Sequence, residues 1–197
     1  MNDLWSNKAP SAWRAALDRY EAVVEAQGVA RLAELDAWYR QELPGLIAAR
    51  AKPHVTHDEL VRLTEWKMAR GVWRARNLVL VRGNDEDLVI RTSTDALAAV
   101  PDPRAPIAIL SKLAGVGPAT ASAAAAAYAP ETYPFFDELV GAQVPGLGDV
   151  AFTPAYYARY AAEIRERALQ LGADWTPSMV AHALWANSGG KAGAAPG

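Results

Sequence analysis

The chain has 197 residues, the size of one domain or of two small lobes sharing a core. Hydrophobic residues make up 51% and charged residues 21%, ordinary globular usage that excludes a disordered, collagen-like or low-complexity chain. Cysteine is absent and the net charge is −2, which excludes disulfides, thiolate zinc sites, cysteine nucleophiles and cysteine-bound iron–sulfur clusters, and argues against a surface that binds nucleic acid all over.

No apolar run approaches the roughly 18 to 20 residues of a bilayer span. The N-terminus lacks the basic-then-apolar pattern of a secretion signal, so the cytoplasm is the expected location. Three histidines are too few for a histidine-rich metal site. Nearly every periodic segment reads as helix. Ser11 is a fair N-cap, and Trp13, Ala16, Leu17, Tyr20, Val23 and Val24 follow at helical spacing as far as Gly28. A second helix is expected over 29–42, with Leu32, Leu35, Trp38 and Tyr39 inward, until Pro44 and Gly45 interrupt it. Thr56 with Glu59 three residues on fits a capping box, and the helix it opens reaches about Arg70, where Gly71 ends it. The run NLVLV over 77–81 reads as a buried helical turn, since no second strand is there to pair with it. A short helix over 107–114 leads into Gly115-Val116-Gly117-Pro118, and Pro118 suits the first turn of an alanine-rich helix over 118–128. Pro130 and Pro134 frame a loop, and 144–152 is glycine- and proline-punctuated. Thr153-Pro154 begins a long helix ended by Gly172, whose Tyr156, Tyr157 and Tyr160 are expected to pack against the N-terminal helices. Thr176-Pro177 begins the last helix, to about Asn187, and a disordered tail is expected over 188–197.

Charge is unevenly placed. Between positions 62 and 82 lie Arg62, Lys67, Arg70, Arg74, Arg76 and Arg82, against Glu65 alone, with Trp66 and Trp73 among them; the stretch 85–87 that follows is acidic. On a helical wheel Leu60, Leu63, Lys67, Thr64, Met68 and Val61 share one arc, Trp66 lies at its border, and Glu65, Arg62 and Ala69 face the other way. A lysine inside an apolar arc either snorkels to the edge or points into a cleft, where it can read a substrate or serve as a nucleophilic amine. The tryptophans suit either a core or a stacking surface for a base. The arginines suit either a solvated face or phosphate contacts.

The informative stretch is 110–137, LSKLAGVGPATASAAAAAYAPETYPFFD. Read physically it is a helix, a tight Gly-x-Gly turn and a second helix whose free N–H groups and positive dipole end point outward, a surface suited to phosphate. Leu113-Ala114-Gly115-Val116-Gly117-Pro118-Ala119-Thr120-Ala121 resembles the hairpin of the helix-hairpin-helix DNA glycosylases, the family with a Gly/Pro-rich loop and a catalytic aspartate. Tyr133-Pro134-Phe135-Phe136-Asp137 is similar to the loop that carries that aspartate, which here stands 22 residues after Gly115. The motif residues lie within the 28 positions from Leu110 to Asp137.

The resemblance implies an all-α fold of two helical lobes with a cleft between them: 54–136 with the hairpin at 107–128, and 1–53 together with 137–187. It implies that Asp137 is the catalytic carboxylate, screened from water by Phe135 and Phe136; read from the sequence alone, Asp137 also fits a plain cap for the helix at Glu138-Leu139. Gly115, Val116, Gly117, Ala119, Thr120 and Lys112, joined by Arg70, Arg74 and Arg76, would contact DNA, and Trp66, Lys67 and Phe136 would line a base pocket. The Schiff-base lysine of bifunctional members falls at Ala119, so a monofunctional enzyme is expected unless Lys67 supplies the amine. No cofactor is expected beyond room for a monovalent cation at the hairpin, and the expected state is a monomer on double-stranded DNA. The rival readings are a non-catalytic DNA-binding or damage-sensing protein and a helical interaction module in which the hairpin is only a turn.

Overall fold

The computed structural model describes residues 3–190. Among them every regular element is helical: α1 (Pro10–Asp18), α2 (Tyr20–Ala26), α3 (Leu32–Ala37), a π-helical turn (Trp38–Glu42), α4 (Leu43–Ala48), α5 (His57–Arg70), α6 (Ala75–Arg82), α7 (Glu86–Ala98), α8 (Ala105–Leu110), α9 (Pro118–Tyr128), α10 (Glu138–Gly141), α11 (Pro154–Leu171) and α12 (Pro177–Asn187). The fold is all-α, as the hydrophobic periodicity predicts. None of these helices is long and apolar enough to cross a membrane.

Several boundaries differ from expectation for local reasons. The first helix begins at Pro10 after Ala9, not at Ser11, and it breaks at Arg19. There the Arg19 N–H turns back to the Ala16 carbonyl, a tightened last turn that splits the expected helix into α1 and α2. Pro44 does not stop the next segment. The π-helical turn carries the chain straight into α4, with the Leu43 N–H bonded to the Trp38 carbonyl, and Pro44 falls in the first turn of α4, where its fixed φ suits the helix. α8 ends at Leu110 rather than at residue 114, and turns closed by Leu113 N–H to Leu110 and Val116 N–H to Leu113 bridge to the glycines. The acidic triplet 85–87 opens a helix left unassigned by the sequence reading: Asp85 caps α7 by accepting from Leu88 N–H.

The capping box at the start of α5 is present in both directions, Glu59 N–H to Thr56 Oγ1 at 3.2 Å and Thr56 N–H to Glu59 Oε2 at 2.9 Å. α5 is packed by α3, α6, α7 and α9. Covered on several sides, it buries Ala69 and Arg70 as well as the predicted arc of Leu60, Leu63, Thr64 and Met68. A single wheel therefore misplaces Ala69, because it allows a helix only one buried face. α4 packs on α9 and α3 on α5, so the segment up to residue 53 and the segment 54–136 share one continuous hydrophobic core.

Tyr157 and Tyr160 add a function to the packing expected of them. Both are buried in the common core, and their hydroxyls hold the 134–136 segment, as described below. The first residues of the expected tail are also tied down. Ser188 Oγ donates to the Trp185 carbonyl at 2.6 Å, and the Gly189 carbonyl accepts from Gln27 Nε2 at 2.9 Å. The rest of that expectation, 191–197, lies outside the described residues.

Candidate functional site

A pocket of about 380 Å³ opens where the C-terminal end of α5, the glycine turn, the N-terminus of α9 and the start of α10 meet. Lys67, Arg74, Ala119, Thr120, Phe136 and Asp137 line it, and Phe152 stands at its side, 46% exposed. The sequence reading did not single out Phe152. Its ring leans on Phe136 at 5.1 Å between centroids, a contact between distant segments that no local pattern announces.

The two hairpin glycines do different jobs. Gly115 has φ +75, and a Cβ there would lie 2.6 Å from the Asn77 carbonyl oxygen of α6. Its bareness lets the turn press against that helix. Gly117 is the N-cap of α9 and has open space in front of it. No side chain caps this end, Pro118 has no N–H, and the first internal bond is donated by Ala121 to the Gly117 carbonyl. The Ala119 and Thr120 amides are thus the orphan donors of α9, in the wall of the pocket. Val116 does not join them, because its N–H is bonded to Leu113. Asn84 secures the turn from behind: its amide accepts from Ala114 N–H and donates to the Ala114 carbonyl, both at 2.9 Å. Asn84 also went unremarked in the sequence, since its partner is 30 residues away.

Asp137 is fixed through both carboxylate oxygens. As the N-cap of α10 it accepts from Leu139 N–H at 2.8 Å through Oδ1, and Oδ2 accepts from Arg70 Nε at 3.2 Å. The capping role read from the sequence is therefore present, and the same carboxylate faces the pocket. The chain leading to it is clamped as well. Tyr157 donates to the Pro134 carbonyl at 3.3 Å, Tyr160 donates to the Phe135 carbonyl at 2.7 Å, and Phe136 N–H donates to Ser122 Oγ at 2.9 Å. Phe136 lies among Tyr156, Tyr157 and Tyr160.

Arg70 is 2% exposed, which removes it from the predicted phosphate contacts. It donates to Tyr20 Oη, and its guanidinium lies 4.1 Å from the Trp185 ring centroid. Asp36 Oδ1 sits 3.9 Å from Arg70 Nη1, and Asp36 accepts from Tyr20 at 2.8 Å, Trp66 Nε1 at 2.9 Å and Arg40 at 2.7 Å. Burial works against ionisation of Asp36, but Arg70, the Trp66 donor and Arg40 outweigh it and hold the carboxyl below its usual range. Trp66 is likewise not in a base pocket. It is fully buried and stacks on Tyr39 at 3.6 Å. The helical spacing that offered it as a stacking surface in fact serves this buried network.

Lys67 is in the pocket, one of the two placements that its position in the apolar arc allows. Among the described residues it makes no hydrogen bond or ion pair. Burial lowers its pKa, the Arg74 charge lowers it further, and Asp137 opposes both. The remaining cations of the basic stretch divide cleanly. Arg62 pairs with Glu34 and Arg82 with Glu65, at 3.3 and 2.7 Å, whereas Arg74 and Arg76 are exposed and without an ion pair among the described residues. Lys112 is exposed beside the hairpin and Trp73 is 38% exposed, outside the pocket lining.

The arrangement brings together a fixed carboxylate, an unpaired amine, unused helix N–H donors and an aromatic wall. That combination can bind an anionic ligand and stabilise positive charge developing beside Asp137. No known protein family, curated protein or solved structure matches the chain.

Proposed function

We propose that the chain is a monofunctional DNA N-glycosylase, hydrolysing the N-glycosidic bond of a modified or mispaired base extruded from double-stranded DNA. The observation that carries this reading is Asp137, a carboxylate held at both oxygens and facing the same pocket as the uncapped N-terminus of α9. In this reading a backbone phosphate lies against the Ala119 and Thr120 amides, and Arg74, Arg76 and Lys112 meet its neighbours. The sugar lies beside Asp137. As the bond between its anomeric carbon and the base breaks, the electron pair leaves with the base and the sugar becomes an oxocarbenium-like cation, which the carboxylate stabilises. Water then adds to the anomeric carbon, one of its protons goes to solvent, and the base is protonated. Phe136 and Phe152 provide the apolar wall against which a planar base fits.

The test is a panel of duplexes, each with one alkylated, deaminated, oxidised or mismatched base, scored for strand breaks with and without hot alkali. Alkali-dependent breaks on a subset of duplexes are expected. Asp137→Asn is expected to lower them on the order of 100-fold or more while DNA binding survives.

A non-catalytic DNA-binding protein is the second reading. The two bonds at Asp137 favour it, because a purely structural cap makes the same bonds. Salt-sensitive duplex binding with no excision on any substrate, and an Asp137→Asn variant altered only in stability, would select it.

A further inference from the structure

A second concavity shares no lining residue with the pocket of Asp137. It is a groove of about 730 Å³ between the start of α8 and the first half of α11. Ile107 and Tyr157, both buried, form its floor, and exposed alanines and prolines form most of its sides. Its charge comes from two exposed arginines, Arg104 on the α8 wall and Arg159 on the α11 wall. No acidic side chain lines the groove, and neither arginine has an ion pair among the described residues. Arg159 gives an N–H to the Leu147 carbonyl, which carries no charge to offset its own. Asp102, close to Arg104 in the chain, is taken up by the backbone N–H groups of Arg104 and Ala105, both at 2.8 Å.

Single exposed apolar residues are ordinary, but a contiguous apolar concavity marks a place where something binds. Two features define the occupant. The α11 wall, Pro154 to Ala162, is roughly 12 Å long at the α-helical rise, the length of about two turns of a second helix. The cations stand on opposite walls, so an occupant between them meets one on each flank. We propose that this groove docks an amphipathic helix of a partner protein whose apolar stripe is bordered by glutamates or aspartates. Its apolar anchors, spaced i, i+3 or i+4 and i+7, lie on Ile107 and Tyr157, and its acidic borders meet Arg104 and Arg159. A basic or wholly apolar helix would leave both guanidiniums beside it without a counter-charge. This surface stands apart from the glycosylase reading and does not depend on it.

The experiment uses the full chain and two synthetic helical peptides of about 15 residues, each with a leucine stripe at that spacing. One carries glutamates on both borders and the other carries lysines. Fluorescence anisotropy measures binding, and a benzophenone in the stripe cross-links the bound peptide for mass mapping. Saturable binding of the glutamate peptide is expected, with cross-links to 103–108 and 154–162. The double variant Arg104→Glu, Arg159→Glu is expected to weaken it roughly tenfold or more, and Arg74→Ala to leave it unchanged. Equal binding of the lysine peptide, cross-links elsewhere, or no binding of either peptide overturns the proposal. Mapping on the unaltered chain decides the matter even if the double variant fails to fold. Sedimentation of the chain alone is the remaining arm. Self-association abolished by the double variant would make a second copy the occupant and overturn the partner helix.

Discussion

Arg70 is a cation cut off from water, and the site is organised around it. Its charge is shared between Asp36 and Asp137, and its plane lies over Trp185, so one side chain joins the core to the wall of the pocket. Such a network is expensive to assemble and rigid once satisfied. It holds Asp137 through Oδ2 while the α10 amide holds Oδ1. The same neighbourhood gives the protein an acid-sensitive element. His182 lies against Tyr20 with ring centroids 4.6 Å apart, and desolvation, then the Arg70 charge, push its pKa from 6.5 down to about 3. Above pH 6.5 the ring is neutral in folded and unfolded chains alike. Between pH 6.5 and about 3 the unfolded chain takes up a proton that the folded chain refuses, so stability falls as pH falls. His182→Phe is expected to flatten the melting temperature against pH across that window, with little change at pH 8. Thermal denaturation over a pH series reads this directly.

At the scale of elements, the hairpin depends on packing as much as on its own sequence. The two glycines look alike in the sequence but sit in different surroundings. At Gly115 an added Cβ meets the α6 backbone and the left-handed φ is strained for an L residue, so Gly115→Ala is expected to cost about 1–3 kcal/mol from strain alone. Gly117 has ordinary φ and open space, so Gly117→Ala is expected to stay within about 0.5 kcal/mol. Urea denaturation midpoints of the two variants separate the cases, and equal losses would show that the turn is not seated on α6. Helix starts with side-chain caps, at Thr56, Thr153 and Thr176, were legible because each cap and its partner lie within one turn. The break at Arg19 and the passage through Pro44 were not, because each depends on how the neighbouring helices are packed.

For the molecule as a whole, a net charge of −2 leaves little general attraction for nucleic acid, so any DNA binding must be local. Arg74 lines the pocket and Arg76 is exposed two residues further on, both without an ion pair among the described residues, while Arg62 and Arg82 are committed to glutamates. If the chain binds duplex DNA as proposed, Arg74→Ala and Arg76→Ala each lower the slope of log affinity against log salt by about 1, whereas Arg62→Ala leaves it unchanged. Fluorescence anisotropy across a salt series measures this. Equal slopes in all three variants would mean that DNA binds elsewhere.

The sequence by itself determined the all-α class, the capping box of α5, the α9 helix behind its glycine turn, and the placing of Lys67 on an inward arc. Each of these follows from periodicity or from residues within a turn of one another, where local sterics and hydrogen bonds dominate. Only the tertiary structure decided that Trp66 and Arg70 are interior, that Asp137 is both a cap and an ion-pair partner, that Asn84 braces the hairpin, and that Phe152 joins the pocket. In a single sequence an arginine reads as a surface cation. Arg70 becomes a core residue because a buried carboxylate from 34 residues before it and a half-buried one from 67 after it arrive to neutralise it. Burial of charge is settled by partners far away in the chain, and the packing of helices is what brings them together.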